Sequence, residues 1–169
     1  AVISMGLDQL TPFHPEKRII EYRIRDASAA RLAEMTLAAF ADETAAESPA
    51  PGGGSVSAYV GALGAALATM VANLSAHKRG WDARWEEFSI WAERGGRHKQ
   101  ALLDLVDEDT RAFNRVLAAM GLPKASEEEK KARADAMQAA ARGAMDVPLR
   151  VMEEALASMD VCRAMAEQG

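Results

Sequence analysis

Apolar residues recur three or four positions apart along most of the chain after residue 27, which is the spacing of one face of an α-helix. This pattern predicts an all-α fold, a multi-helix bundle of four or five helices with an extended N-terminal tail. The predicted helices run from Ser28 to about Thr44, from Ser55 to about Ala76, from Trp81 to Met120, from Ser126 toward Met145, and from Val151 to Glu167.

Glycine, proline and capping residues set the predicted boundaries. The run Pro49–Gly54 predicts an irregular loop, with Ser55 as the N-cap of the helix that follows. Gly80 can end that helix, and Ser126 with its three acidic followers forms a capping box. Two further breakers lie inside predicted helices: Gly95-Gly96 would kink or break the third, and Pro148 would kink or restart the fourth.

The first 26 residues differ from the rest of the chain. The segment Arg18–Ile24 has β-leaning side chains, but the downstream sequence offers no partner strand. Because a lone strand is not stable, this segment belongs with something other than the helical domain. We therefore divide the chain into a tail, 1–26, and a helical domain, 27–169.

The helix predicted after Ser55 has small residues at four-residue spacing. These rows are Ser57, Gly61 and Ala65, and Gly64, Ala68 and Ala72. Rows of small residues let the backbone of another helix approach closely. This helix is therefore either a core element or the interface of an assembly module. Its length alone would suit a membrane span. Its Ala and Gly content, its polar residues and its lack of aromatic interface residues argue against one.

Composition narrows the function classes. The chain has 169 residues, 49% of them hydrophobic, which suffices for one domain with a real core. A net charge of −5 without a basic run makes nucleic acid an unsuitable partner. The single cysteine, Cys162, cannot form an internal disulfide, and no secretory leader is visible. We therefore expect a reducing, cytoplasmic compartment.

One carboxylate breaks an apolar stripe. The stripe contains Leu102, Val106, Asp109, Phe113, Val116 or Leu117, and Met120. An inward Asp109 must be paired, hydrogen-bonded, protonated or in a wet cleft, because burying an unpaired carboxylate costs several kcal/mol. It is therefore either a functional acid or a structural acid paired to an arginine or a helix N-terminus. Asp107 has largely polar helical neighbours, so it is predicted to be a solvated charge.

Other polar groups suggest weaker candidates. The glycines before Ser55 either bind an anionic group at a helix N-terminus or make only a tight turn. Lys78 and Arg79 either bind an anion or partner a helix C-terminus. No two histidines have ligand spacing and no Cys/His cluster exists, so we expect no metal site.

Several ordered segments resemble one family. They are Ser48–Val56 (SPAPGGGSV), Gly61–Leu67, Met70-Val71, Leu105–Asp109 with Ala112-Phe113, Leu122–Lys124 and Val147–Leu149. Together they resemble the cyclodeaminase family, which comprises the C-terminal domain of bifunctional formimidoyltransferase-cyclodeaminases and stand-alone relatives. The tail, with Gly6–Asp8, Pro12-Phe13 and Lys17–Tyr22, resembles the end of the transferase domain and the linker. The family continues beyond the position of Gly169, so the domain is expected to be truncated at its C-terminus.

The resemblance implies an ammonia-lyase that converts 5-formimidoyltetrahydrofolate to 5,10-methenyltetrahydrofolate in histidine degradation. It implies no cofactor beyond the folate substrate, with or without a polyglutamate tail, and a homodimer or higher oligomer beside a formimidoyltransferase domain. The family's catalytic aspartate falls within Asp107–Asp109, and the stripe favours Asp109 over Asp107. Predicted substrate-binding residues are Pro51, Gly52, Gly53, Gly54, Ser55, Lys78 and Arg79. The alternatives are a methenyltetrahydrofolate cyclohydrolase and a non-catalytic helical oligomerisation module.

Overall fold

The computed structural model describes residues 31–169, and this part of the chain is helical without a β-strand. Its four α-helices are α1 (Leu37–Thr44), α2 (Gly53–Ala76), α3 (Trp85–Met120) and α4 (Glu127–Gln168). Two short 3₁₀ turns, Leu32–Glu34 and Asp82–Arg84, precede α1 and α3. The prediction of an all-α bundle is confirmed, whereas the predicted tail and the Ser28 cap lie outside the described residues.

The three long helices form an up-down-up bundle. Ser55 near the start of α2 contacts Asp109 far along α3, and Thr69 near the end of α2 faces Gly95, so α2 and α3 are antiparallel. His98 of α3 bonds Glu154 of α4 at 2.6 Å, and Arg94 bonds Asp160, so α3 and α4 are also antiparallel. Helix α2 therefore runs parallel to α4 and packs against both partners.

Small side chains form the buried side of α2. The buried row is Ala58, Ala62, Ala65, Ala68 and Ala72. It faces the interior of this chain, so these alanines serve close packing within the bundle, whereas Ser57 and Gly64 of the predicted rows are exposed. Gly95 of α3 belongs to this contact, because a β-carbon there would overlap the hydroxyl oxygen of Thr69.

Larger residues complete the core in two clusters. One lies around Leu102, Leu105, Val106, Val147 and Val151, near the start of α2. The other, near the end of α2, is built on Phe88, Val161 and Met165, with Trp81 stacked on Phe88 at 5.5 Å between ring centroids.

The first predicted helix is shorter than expected. Helix α1 begins at Leu37, where the Thr36 hydroxyl accepts a hydrogen bond from the Ala39 N–H at 3.1 Å. Residues Met35 and Thr36 are extended, so the helix does not continue back through Leu32. The reason is a competing contact, since the Leu32 N–H donates to Asp107 of α3.

Neither predicted interruption of the long helices occurs. Helix α3 passes through Gly95-Gly96 unbroken, since Gly95 is needed for the close approach to α2. Helix α4 contains Pro148 and continues to Gln168, so the separate last helix from Val151 is wrong. Packing of both halves of α4 against the bundle outweighs the hydrogen bond that proline removes. The capping box is confirmed, with Ser126 and Glu129 bonded reciprocally.

Large apolar side chains remain exposed along α2 and α4, and we call this set of residues the apolar face. On α2 it consists of Val60, Leu63, Leu67, Met70 and Leu74, and on α4 of Met145, Leu149, Met152, Leu156 and Met159. Helix α2 is long and apolar enough, by length and composition alone, to cross a membrane. Here its other side packs on α3 and α4, and core helices of this kind meet the same criterion of length and composition.

Candidate active site

The glycine-rich segment is divided between a loop and the first turn of α2. Residues 49–52 are irregular, as predicted, whereas the predicted loop ends before Gly53. Gly52 is the N-cap and makes no side-chain capping bond, and Gly53, Gly54 and Ser55 are already helical. The prediction that Ser55 caps this helix is therefore wrong. The first N–H groups of a helix have no intrahelical acceptor, so they need a partner from elsewhere.

That partner is Asp109 of α3. Its Oδ2 accepts a hydrogen bond from the Ser55 backbone N–H at 2.9 Å and lies 3.0 Å from the Ser55 hydroxyl. A carboxylate suits this position, because the positive end of the helix dipole points toward it. Asp109 therefore has the partner expected of a structural acid, a helix N-terminus, and the functional alternative depends on the cavity that Asp109 also lines.

One glycine, Gly54, leaves room for the carboxylate. A β-carbon on Gly54 would overlap Oδ1 of Asp109, and one on Gly52 would lie 3.7 Å from Oδ2. The glycines thus do more than permit a turn, since Gly54 allows the helix start and the acidic side chain to approach closely.

Asp109 also lines a cavity of about 240 Å³. The lining comprises Pro49, Ala50, Gly52, Gly53, Gly54, Asp109, Thr110, Phe113 and Ala144. Its walls are apolar or glycine backbone, apart from the carboxylate and the Thr110 hydroxyl. The half-buried Asp109 is the ionisable side chain among these lining residues, so it is the group there that can exchange a proton.

The predicted site residues do not all meet in this cavity. Gly52, Gly53 and Gly54 line it, Ser55 is buried behind Asp109, and the buried Pro51 is not among the lining residues. Along the apolar stripe, Phe113 and Met120 are exposed, at 41% and 53%, so the stripe is inward only in its first half. The sequence placed Phe113 only on the apolar stripe and did not identify Thr110 or Ala144, because their contribution depends on how α3 and α4 meet.

Lys78 and Arg79 lie away from this cavity. They follow the C-terminal end of α2, whose 24 residues place them roughly 36 Å from the Asp109 end. The Lys78 ammonium group sits 3.6 Å from the centroid of the Trp81 ring, and Gly80 turns the chain with a φ of 86°. These cations therefore contribute nothing directly to the cavity of the same chain.

Asp107 is buried, so its prediction as a solvated charge is wrong. It is 6% exposed, and its Oδ1 accepts from the Leu32 N–H at 2.6 Å. Its Oδ2 accepts from the Arg31 guanidinium at 3.3 Å, and this hydrogen bond, with the nearby Glu34, raises the pKa of Arg31. The segment before α1 covers Asp107, which the helical neighbours of Asp107 on α3 alone did not reveal. Both carboxylate oxygens of Asp107 thus hold that segment, and its catalytic role stays a prediction.

The acid between these two has a third environment. Glu108 accepts hydrogen bonds from Arg115 and Arg111, both at 2.9 Å. The hydrogen bond from Arg115 is the main cause that lowers the pKa of Glu108, with Arg111 adding to it against partial burial. Three consecutive carboxylates thus differ in role: Asp107 anchors the chain, Glu108 pairs with arginines, and Asp109 faces the cavity. Among residues 31–169, no group of three His, Cys, Asp or Glu side chains is arranged to hold a metal ion.

Relatives of known identity match most of the chain. The profile of the formiminotransferase-cyclodeaminase family matches residues 36–169. The formimidoyltransferase-cyclodeaminase of Rattus norvegicus is 42% identical over 90% of this chain, which spans 28% of the rat protein. A methenyltetrahydrofolate cyclohydrolase of Methylorubrum extorquens is 37% identical over 79% of this chain and 64% of its own length.

A solved structure agrees with these matches. The crystal structure of formiminotetrahydrofolate cyclodeaminase from Thermotoga maritima superposes with a TM-score of 0.58 and 31% sequence identity. The match covers 78% of this chain and 73% of the Thermotoga chain. On these matches, the chain belongs to the formiminotransferase-cyclodeaminase family.

Proposed function

We propose that this domain is a formimidoyltetrahydrofolate cyclodeaminase, and that Asp109 moves the proton in its reaction. The observation that carries the proposal is a carboxylate held at the N-terminus of α2 by Ser55 and lining a largely apolar cavity. Membership of the family supports the substrate class, because the rat and Thermotoga relatives carry this activity in their names.

The reaction needs one proton to change nitrogen atoms. The formimidoyl group reacts in its protonated, amidinium form. N10 of the folate attacks the carbon of this group on N5, and the new carbon–nitrogen bond gives a tetrahedral intermediate that bears an amino group. Asp109 takes the proton from N10 and delivers it to the former imino nitrogen. The carbon–nitrogen bond to that group then breaks, ammonia leaves, and the methenyl bridge between N5 and N10 carries the positive charge. The same carboxylate stabilises that cationic centre electrostatically.

The size of the cavity suits the reacting end of the substrate. At about 240 Å³ it is smaller than pockets that enclose a drug-sized ligand, which occupy about 300–1,000 Å³. The folate therefore places its reacting atoms inside and its glutamate end outside. Lys78 and Arg79 remain predicted partners of the anionic folate tail. To reach them from the cavity of the same chain, the tail would have to extend along the whole of α2.

The test is a comparison of three variants with the wild type. Methenyltetrahydrofolate formation from 5-formimidoyltetrahydrofolate is followed by its absorbance, and ammonia is measured in parallel. Asp109→Asn is expected to lower kcat about 10²–10⁴-fold, as loss of a general acid–base does. Asp107→Asn tests the neighbouring predicted acid, and Glu108→Gln is the control for charge removal on the same helix. Full activity in Asp109→Asn would remove the assignment.

A second candidate is methenyltetrahydrofolate cyclohydrolase, supported by the Methylorubrum relative of that name. The two activities separate by product. Hydrolysis of the methenyl compound without ammonia release from the formimidoyl compound would favour the cyclohydrolase. An assembly module without catalysis would show neither product and no heat on titration with a folate analogue.

The homodimer is also proposed, with the apolar face as its interface. Its exposed residues on α2 follow heptad spacing, and α2 contains no charged residue. Leu67→Glu is expected to yield monomers in light scattering, whereas Leu37→Glu, on exposed α1, is the matched control. A wild-type monomer at working concentrations would overturn this interface.

The cytoplasmic location and the role in histidine degradation remain predictions.

A further inference from the structure

The Ser55 hydroxyl has one proton and two close acceptors, with the Thr110 hydroxyl as a more distant contact at 3.5 Å. Its Oγ lies 2.8 Å from the backbone carbonyl oxygen of Val106 and 3.0 Å from Oδ2 of Asp109. The side chain is fully buried, so bulk water does not compete for either contact. A hydroxyl donates one hydrogen bond at a time and can rotate between acceptors. Ser55 can therefore serve Val106 or Asp109 without moving its oxygen.

The remaining contacts of the carboxylate are fixed. The Ser55 backbone N–H donates to the same Oδ2 at 2.9 Å and cannot turn away. Within residues 31–169, no hydrogen-bond donor reaches Oδ1, which occupies the space beside Gly54. The two oxygens thus differ, because Oδ2 is held by Ser55 and Oδ1 is left for exchange with a ligand.

We propose that Ser55 is a positioning residue whose hydroxyl follows the charge of Asp109 during catalysis. While Asp109 is ionised, the hydroxyl donates to Oδ2 and orients the carboxylate. When Oδ1 has taken the proton from N10, Oδ2 becomes a weaker acceptor and the hydroxyl turns to Val106. When that proton passes to the amino group that leaves as ammonia, the hydroxyl returns to Oδ2. The inference rests on the proposed function, since the proton cycle is that of the cyclodeaminase.

A purely structural role for Ser55 makes a different prediction. If the hydroxyl only filled space or joined α2 to α3, its removal would lower stability without altering the titration of the carboxylate. If it stabilises the charged form, its removal disfavours that form and moves the titration to higher pH. The pH dependence separates the two roles.

The experiment uses the full chain and two independent readouts. Ser55→Ala removes the hydroxyl and keeps the backbone N–H. The matched control is Ser158→Ala, since Ser158 is also buried but its hydroxyl bonds only the Ala155 carbonyl of its own helix. The carboxyl carbon resonance of Asp109 is titrated by ¹³C NMR without substrate, and kcat and KM are measured across pH with 5-formimidoyltetrahydrofolate.

In Ser55→Ala we expect kcat to fall about 10–100-fold, the range expected for one lost hydrogen bond to a charged group. KM is expected to change little, and both the acid limb of the rate profile and the NMR midpoint are expected to move to higher pH. Ser158→Ala is expected to match the wild type in both. If Ser55→Ala does not fold, Ser55→Cys carries the same test with a weak donor of similar shape.

Two results would overturn the inference, and they are distinguishable. An unchanged NMR midpoint in folded Ser55→Ala removes the role of the hydroxyl, even where the wild type is active. A wild type that forms no methenyl product overturns the proposed function, and the role in its proton cycle with it.

Discussion

Gly54 and Asp109 share one space, because Oδ1 of the carboxylate lies where a β-carbon on Gly54 would be. The contact joins the first turn of α2 to the middle of α3. A methyl group at Gly54 therefore forces the carboxylate away from the position in which Ser55 holds it.

Gly54→Ala is accordingly expected to reduce kcat about 10²-fold, the loss that a misplacement of about 1 Å can cause. Gly96→Ala is the control, since a β-carbon there meets nothing within 4 Å and this residue of α3 lies outside the apolar face. It is expected to keep its activity and to gain about 0.5–1 kcal/mol in stability. Steady-state kinetics and urea unfolding measure both effects. Wild-type activity in Gly54→Ala would contradict the geometry.

Asp107 is expected to affect stability through the segment before α1. Asp107→Ala leaves the Leu32 N–H buried without its acceptor, and this is expected to cost about 1–3 kcal/mol in the free energy of unfolding. Amide hydrogen exchange at Leu32 is expected to become faster in the same variant. Asp104→Ala, which removes an exposed acid from α3, controls for the change in charge. Unaltered exchange at Leu32 would show that Asp107 does not hold this segment.

Glu108 is expected to make a pH-dependent contribution to the free energy of unfolding. Its pKa is lowered in the folded protein, mainly by the hydrogen bond from Arg115, so ionised Glu108 favours the folded state. This stabilisation is present above the ordinary value of 4.5 and is lost as the pH falls through the lowered pKa. Urea unfolding of wild type and Glu108→Gln is therefore expected to differ at pH 7 and to converge at acidic pH. The difference is expected to stay below about 1 kcal/mol, because the pair is partly solvated. A difference that grows on acidification would contradict the assignment.

Two adjacent glycines of α3 are expected to respond oppositely to the same substitution. In Gly95→Ala the new methyl group overlaps the Thr69 hydroxyl, and the strain between α2 and α3 is expected to cost about 1–3 kcal/mol. In Gly96→Ala it meets nothing within 4 Å, and a gain of about 0.5–1 kcal/mol is expected. Thermal unfolding of the two variants measures this contrast. Equal melting temperatures of the two variants would mean that the packing of α2 against α3 does not require a glycine at position 95.

Local patterns predicted the helices better than their interruptions. The capping box at Ser126 was predictable because its contacts lie within four residues. Gly95 and Pro148 are breakers by intrinsic preference, yet the close α2 contact and the packing of α4 outweigh that preference. Such tertiary contacts cannot be derived from spacing along one helix.

The site was predictable only where its signal lies within one helix. Asp109 broke an apolar stripe, and this conflict correctly indicated a carboxylate that needs a partner. Ser55 and Asp109 are 54 residues apart, so the pattern did not identify them as partners. Asp107 was misjudged because the residues that bury it precede α1.

The length of α2 makes its two ends electrically independent. Its 24 residues separate the Asp109 carboxylate from the ammonium group of Lys78 by several Debye lengths, each about 8 Å at physiological ionic strength. Neutralising or reversing the charge at Lys78 is therefore expected to leave the electrostatic potential at the reacting carbon unchanged. Surface charges at the C-terminal end of α2 can thus be altered without changing the rate of the chemical step at its N-terminal end.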